Sequence, residues 1–159
     1  MSLNAIDPTR VAPVTADLTL DDDAFQVLRG LESMHRVDKK LVDLNTTTLL
    51  KGEWAVLNSD DKVQRPGATG VRNSYPVFCG TDRFDVHATG AVTLIMGPGV
   101  IFKTTVYDPA GSYTPGVKLA AKSGGTGQAW LAPVVSAEAC VAVVQTVGTG
   151  YLICEMANA

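Results

Sequence analysis

"DPAGSYTPGVKLAAKSGGTGQAWLAP", residues 108–133, reads as a string of tight turns with short strands between them. Proline and glycine recur every few residues, and the apolar runs they leave, "VKLAA" and "AWLA", have strand length rather than helix length. "SGGTG" at 123–127 and "VGTGY" at 147–151 supply the positive-φ residues that tight hairpins require. The stretch predicts antiparallel strands joined by sharp corners.

The same pattern extends outward from about Leu49. "LLKGEWAVLNSDDKVQRP" predicts two strands joined across a polar turn at 58–61, the second ended by Pro66. "YPVFCG", "FDVHATG", "AVTLIMGPG", "VIFKTTVYDPAG", "CVAVVQTVGTG" and "YLICEM" are further β-branched or aromatic runs, most of them closed by Gly, Pro or Asp. Short strands about ten residues apart with such punctuation predict a compact antiparallel β-barrel or sandwich, since parallel α/β units need long helical crossovers.

The beginning of the chain differs. "DDDAFQVLRGLESMH" predicts one short helix near 22–35, with three aspartates to cap its first N–H groups and Ala24, Val27, Leu28, Leu31 and His35 at helical spacing. Gly30 weakens that helix by about 1 kcal/mol relative to alanine. Residues 1–20 have no helical period, and Pro8 and Pro13 force extended backbone. They predict an extended N-terminal arm lying along its own surface or a neighbour's, with Ile6, Pro8, Val11, Pro13, Val14 and Leu18 as its contact residues. Residues 21–159 then form a single β-rich domain.

Composition narrows the function. A chain of 159 residues buries roughly two thirds of its unfolded surface without metals or disulfides. The formal net charge of −3 argues against nucleic acid, whose backbone calls for a clustered basic surface. No run approaches the roughly 20 apolar residues of a membrane helix, and the first residues lack a basic flank followed by an apolar stretch, so synthesis in the cytoplasm is expected. Cys79, Cys140 and Cys154 sit in strand-like settings with no CxxC spacing and are expected to be buried thiols. Charge is concentrated early: residues 1–65 hold 8 of the 13 Lys and Arg and 11 of the 16 Asp and Glu. The later region must cover itself with small polar residues, backbone or other protein.

Chemistry-bearing constellations are sparse. "GPGV", "GGTG" and "GTG" complete no phosphate-loop pattern and precede no helix, so hairpin turns are expected. Ser123 follows His35, His87, Asp85 and Asp108 in the order of a chymotrypsin-like protease, but Ala121 and Lys122 stand where a glycine-aspartate pair normally precedes the serine. His87 and Asp85 share a strand face and offer two metal ligands at most. Asp82, Asp85 and Asp108 neighbour turns, where aspartate bonds local backbone, although a hydrolytic carboxylate pair stays open as a third reading. Trp54, Trp130, Tyr75, Tyr107, Tyr113 and Tyr151 suit a core or subunit contact, or else a sugar-binding face. The reading is of a protein without cofactor, metal or catalytic set.

"SYPVFCGTDRFDVHATGAVTLIMGPGVIFKTTVYDPAGSYTPGVKLAAK", with "LAPVVSAEACVAVVQTVGTGYLICEM" after it, resembles the small capsid decoration or cement proteins of tailed bacteriophages. The shared layout is a "YxPGxxL" lead into a strand (Tyr113, Pro115, Gly116, Leu119), a Gly-rich hairpin, a "VAVV" strand and a final "GYLICEM" strand, within residues 71–156. The resemblance implies a viral structural protein, not an enzyme, assembled in the bacterial host cytoplasm and located on the outer surface of the virion capsid. Its implied partners are the major capsid protein and other copies of itself, as a dimer or trimer with clasping arms. Residues 21–45 share least with that pattern. The alternative is a phage tail, baseplate or fibre-associated module that binds a host glycan through its aromatic residues.

Overall fold

The computed structural model describes residues 24–40, 49, 52–77, 91–124 and 129–157. Among these residues eleven strands are arranged in antiparallel sheets. In chain order they are β1 (Phe25–Arg29), β2 (His35–Lys40), β3 (Trp54–Leu57), β4 (Val63–Gln64), β5 (Ser74–Pro76), β6 (Ala91–Met96), β7 (Ile101–Thr104), β8 (Lys118–Ser123), β9 (Ala129–Pro133), β10 (Ala142–Val147) and β11 (Leu152–Met156).

Six of them form one sheet in the order β1-β7-β11-β10-β8-β9. A three-stranded sheet, β4-β3-β5, and a two-stranded sheet, β2-β6, are joined by a bridge between Val77 and Leu94. The strands pack as a sandwich and do not close into a barrel. The edge of β9 is covered by residues 106–108: Leu131 N–H donates to Val106 O at 3.3 Å, and Asp108 N–H donates to Leu131 O at 2.8 Å.

Alternation along each strand sets the core. Phe25, Phe102, Leu119, Ala121, Leu131, Val144, Leu152, Cys154 and Met156 point inward from the large sheet and meet Trp54 and Ile95 from the others. Phe102 stacks on Phe25 with centroids 4.9 Å apart and lies 5.9 Å from the Trp54 ring. A second cluster gathers Leu49, Ala55, Val63, Tyr75, Val77, Val92 and Leu94. Strand β3 therefore buries both faces, with Trp54 in one cluster and Ala55 in the other. Glu53 adds a polar tie between the layers, accepting from Ala129 N–H at 3.3 Å and lying 3.6 Å from Arg65.

The turns fall where the sequence places them. Asn58 Oδ1 accepts from the N–H groups of Asp60 and Lys62 and closes the β3–β4 hairpin. Gly150, at φ 79, turns the β10–β11 hairpin. Gly97, at φ 145, starts the β6–β7 connection where a Cβ would overlap the Ser33 carbonyl oxygen.

One expectation is corrected. Of the helix expected near 22–35, the described residues keep α-helical backbone at Ala24 alone and a single 3-10 turn at Leu31–Ser33, which is flanked by strands β1 and β2. Gly30 adopts φ 85 and breaks the backbone there. Antiparallel pairing of Phe25 with Thr104 and of Val27 with Phe102 replaces the helical hydrogen bonds. His35, expected at helical spacing in that helix, opens β2 opposite Met96.

Phe102→Ala is expected to lower unfolding free energy by about 3–5 kcal/mol in urea titration, because two aromatic partners lose their common contact. A loss below about 1 kcal/mol would mean that the rings do not organise the core. Gly97→Ala is expected to cost about 2 kcal/mol or more by the same measurement, through backbone strain and steric overlap.

Candidate functional site

The candidate surface grows from the β8–β9 hairpin. Its register sets Ala120 opposite Ala132 and Lys122 opposite Trp130. Leu119, Ala121 and Leu131 face the core, so by alternation these four residues share the outer face. Residues 66–72 lie across it, so close that a Cβ at Gly70 would collide with the Ala120 methyl group. Ser123 N–H donates to Gly67 O at 2.9 Å, and Ala139 N–H donates to Gly70 O at 3.2 Å.

A carboxylate fastens these segments together. Lys122 Nζ lies 2.7 Å from Glu138 Oε2, with side chains only 14% and 8% exposed. Glu138 also accepts from Gly70 N–H at 3.1 Å and from Val135 N–H at 2.9 Å. Burial pushes the Glu138 pKa upward, but the hydrogen bond from Lys122, those from the Val135 and Gly70 amides, and the Lys122 charge together outweigh it. The carboxyl is held below its ordinary value. The residues bonded to this pin hold two exposed valines in fixed positions: Val135 at 61% exposure, and Val71 beside Gly70 at 43%.

On the other side of Trp130 lies a groove of about 480 Å³, lined by Thr105, Val106, Tyr107, Pro109 and Trp130. Tyr107 meets Tyr113 edge-on, with centroids 5.2 Å apart. Tyr113 Oη donates to Asp108 O at 2.6 Å, and Asp108 Oδ1 accepts from Ala110 N–H at 2.9 Å. Burial first, then the nearby Asp108 and Tyr107 charges, raise the Tyr113 pKa well above its usual value, so the phenol stays a donor. The turn after Tyr107 is thereby fixed from inside. Leu28 and Leu31, at 42% and 63% exposure, form a separate apolar step at the bend between β1 and β2.

Several residues raised by the sequence take structural roles. Trp54 and Tyr75 are buried, which leaves Trp130 and Tyr107 as the aromatics of the groove. Asp108 bonds local backbone as a turn aspartate. Ser123 ends β8 in the large sheet, whereas His35 pairs with β6 in another. Cys154 is a buried free thiol whose pKa burial pushes up to about 12, and Cys140 is half-buried. Cys79, Asp82, Asp85 and His87 lie outside the described residues, as do the arm residues Ile6, Pro8, Val11, Pro13, Val14 and Leu18.

Sequence reasoning missed the Lys122–Glu138 pin and the groove. A signal for the first was present: only 10 charged residues follow residue 65, and Lys122 interrupts the apolar run of β8. The chain matches no protein-family model, no curated protein and no solved structure.

The arrangement offers rigid apolar contact points and an aromatic groove. A carboxyl whose folded pKa lies below its unfolded value of about 4.3 adds stability that is complete above that value and is lost as pH falls through the folded pKa. Glu138→Gln is expected to cost about 2 kcal/mol at neutral pH, since Lys122 loses its counter-charge in a poorly hydrated position. The variant should also show a shallower stability loss than wild type between about pH 5 and pH 3. Equal slopes in acid-dependent urea titrations would remove Glu138 from this role.

Proposed function

We propose that the chain is a structural virion protein that binds the outer surface of a phage capsid and stabilises the shell as a homo-oligomeric cement. The observation that carries this reading is the pairing of exposed apolar side chains with rigid support. Val71 and Val135 flank a single carboxylate that fixes both loops from beneath. Such residues lose little conformational freedom when covered, which favours an interface over a solvent-facing loop. The sparse charge after residue 65 suits the core of an interface, which is depleted in charged residues. The likeness of residues 71–156 to cement proteins points the same way.

Cementing asks little of each contact. Many copies act on one lattice, so effective concentration makes weak individual contacts sufficient. The arm, residues 1–20, would add strand pairing or apolar anchoring to a capsid subunit or a neighbouring copy, as a dimer or trimer. No helix among the described residues is long and apolar enough to cross a membrane.

A second reading, a tail, baseplate or fibre-associated module for a host glycan, is favoured by one observation, the half-buried Trp130 beside Tyr107 in an open groove. Trp54 is enclosed in the core and takes no part in it.

The double variant Val71→Asp/Val135→Asp is expected to stay folded, within about 0.5 kcal/mol of wild type, and to lose co-sedimentation with shells that lack the protein. Deleting residues 1–20 is expected to weaken attachment while leaving the sheets folded. Undiminished attachment of the double variant would defeat the cement reading. Trp130→Ala abolishing binding on a glycan array would replace that reading with the second.

A further inference from the structure

The bend between β1 and β2 carries an apolar knob. Leu31 begins the 3-10 turn and, at 63% exposure, is the most exposed large apolar side chain among the described residues. Its backbone is held in place: Ser33 N–H donates to Gly30 O at 2.9 Å, and Met34 N–H donates to Leu31 O at 3.2 Å. Gly30 lies so close to Val100 that a Cβ there would come within 3.1 Å of the Val100 Cα, and Gly97 meets the Ser33 carbonyl from the β6–β7 connection. Met34, half-buried, packs on the core. A side chain fixed in this way gives up little freedom when it is covered.

The Tyr107–Trp130 groove is a hole that fits such a knob. Its described lining of Thr105, Val106, Tyr107, Pro109 and Trp130 carries no charge, and its volume of about 480 Å³ admits an aliphatic side chain. Leu31 does not reach the groove of its own chain. Thr105 stands beside Ala24 just before β1 begins, Leu31 follows the end of β1, and the five residues of that strand span about 17 Å. A contact between these patches therefore joins two copies.

The charges around the two patches are complementary. Arg29 and Glu32, both exposed, flank the knob. Asp108 lies between two residues of the groove wall, and Lys103 precedes Thr105 by two positions on the same side of the extended chain. Each patch thus sets one charge of either sign beside an apolar centre, the arrangement that fixes the register of two partners.

We propose that Leu31 of one copy fills the Tyr107–Trp130 groove of a second copy, and that repetition of this contact around a symmetry axis closes the oligomer. Unlike patches meet, so every copy gives one knob and receives one. Arg29 would then face Asp108, and Glu32 would face Lys103. Val71 and Val135, on the other side of Trp130, stay available to a different partner. The proposal rests on the homo-oligomeric part of the cement reading.

The test is the mass of the free full-length chain by light scattering over a dilution series, followed by mixing of variants. Leu31→Asp and Trp130→Ala are each expected to weaken self-association about thirtyfold or more, as loss of an interface anchor does, with urea midpoints matching wild type. Pro109→Asp, at an exposed position of the groove wall, is a second groove variant that spares the aromatic rings and should act in the same way. Leu31→Asp keeps its groove and Trp130→Ala keeps its knob, so an equal mixture of these monomers is expected to form one-to-one dimers that grow no further. A mixture that stays monomeric would overturn the proposal. Dissociation by the knob variant alone, or by the groove variants alone, would overturn it too, since that marks a patch meeting its own copy. A wild-type chain that is monomeric at every concentration would do the same, leaving the groove open as a glycan would require. Mass is read without shells, whereas co-sedimentation with shells tests the cement reading, so either can fail without the other.

Discussion

The contact among Phe25, Phe102 and Trp54 is the joint on which this architecture rests. Two rings come from the large sheet and the third from the opposing layer, so the stack fixes the spacing of the sandwich as well as filling it. Phe102 lies on β7, whose neighbours are β1 and β11, and Trp54 lies on β3, which buries both faces. Sheet spacing in turn determines whether residues 66–72 can reach the outer face of β8. Without that reach Glu138 would have no Gly70 amide to bind, and the exposed valines would lose their common support.

Scarcity of charge gives the polar contacts unusual influence. Glu53 ties β3 to the start of β9, and Glu138 ties two loops to β8. Each reaches from one layer or loop to another, where a lost partner would leave a desolvated group unsatisfied. Val71 and Val135, next to the Glu138 tie, stay exposed. That division, ionic groups inside the joints and apolar groups on fixed corners, is what the proposed cement role draws on.

The strands after residue 52 were legible because turn chemistry and period-two alternation agree there. "WAVL", "AVTLIM", "KLAAKS" and "LICEM" all became strands within the expected runs. The helix was misread for a specific reason. Ala24, Val27, Leu28 and Leu31 satisfy a helical repeat, while Phe25 and Val27 equally satisfy a strand, and only pairing with β7 decides between them. The glycine noted as a weak point, Gly30, was in fact the corner. Which residues pair in the pin and the groove was illegible because their parts are distant in sequence. Lys122 meets Glu138 across a hairpin and a loop, and Tyr107 meets Trp130 only once residues 106–108 have covered β9.

The strand order also dictates when this protein can exist. Among the described residues β11 is the last strand in sequence, yet it stands near the middle of the large sheet, bonded to β7 on one side and β10 on the other. While residues 152–156 are still within the ribosome, β1 and β7 are separated from β10, β8 and β9 by a missing strand. The sheet cannot assemble progressively during synthesis and must form in one late, largely non-local step, the slow class of folding event. Until then β7 and β10 each lack one neighbour and leave an unpaired edge exposed.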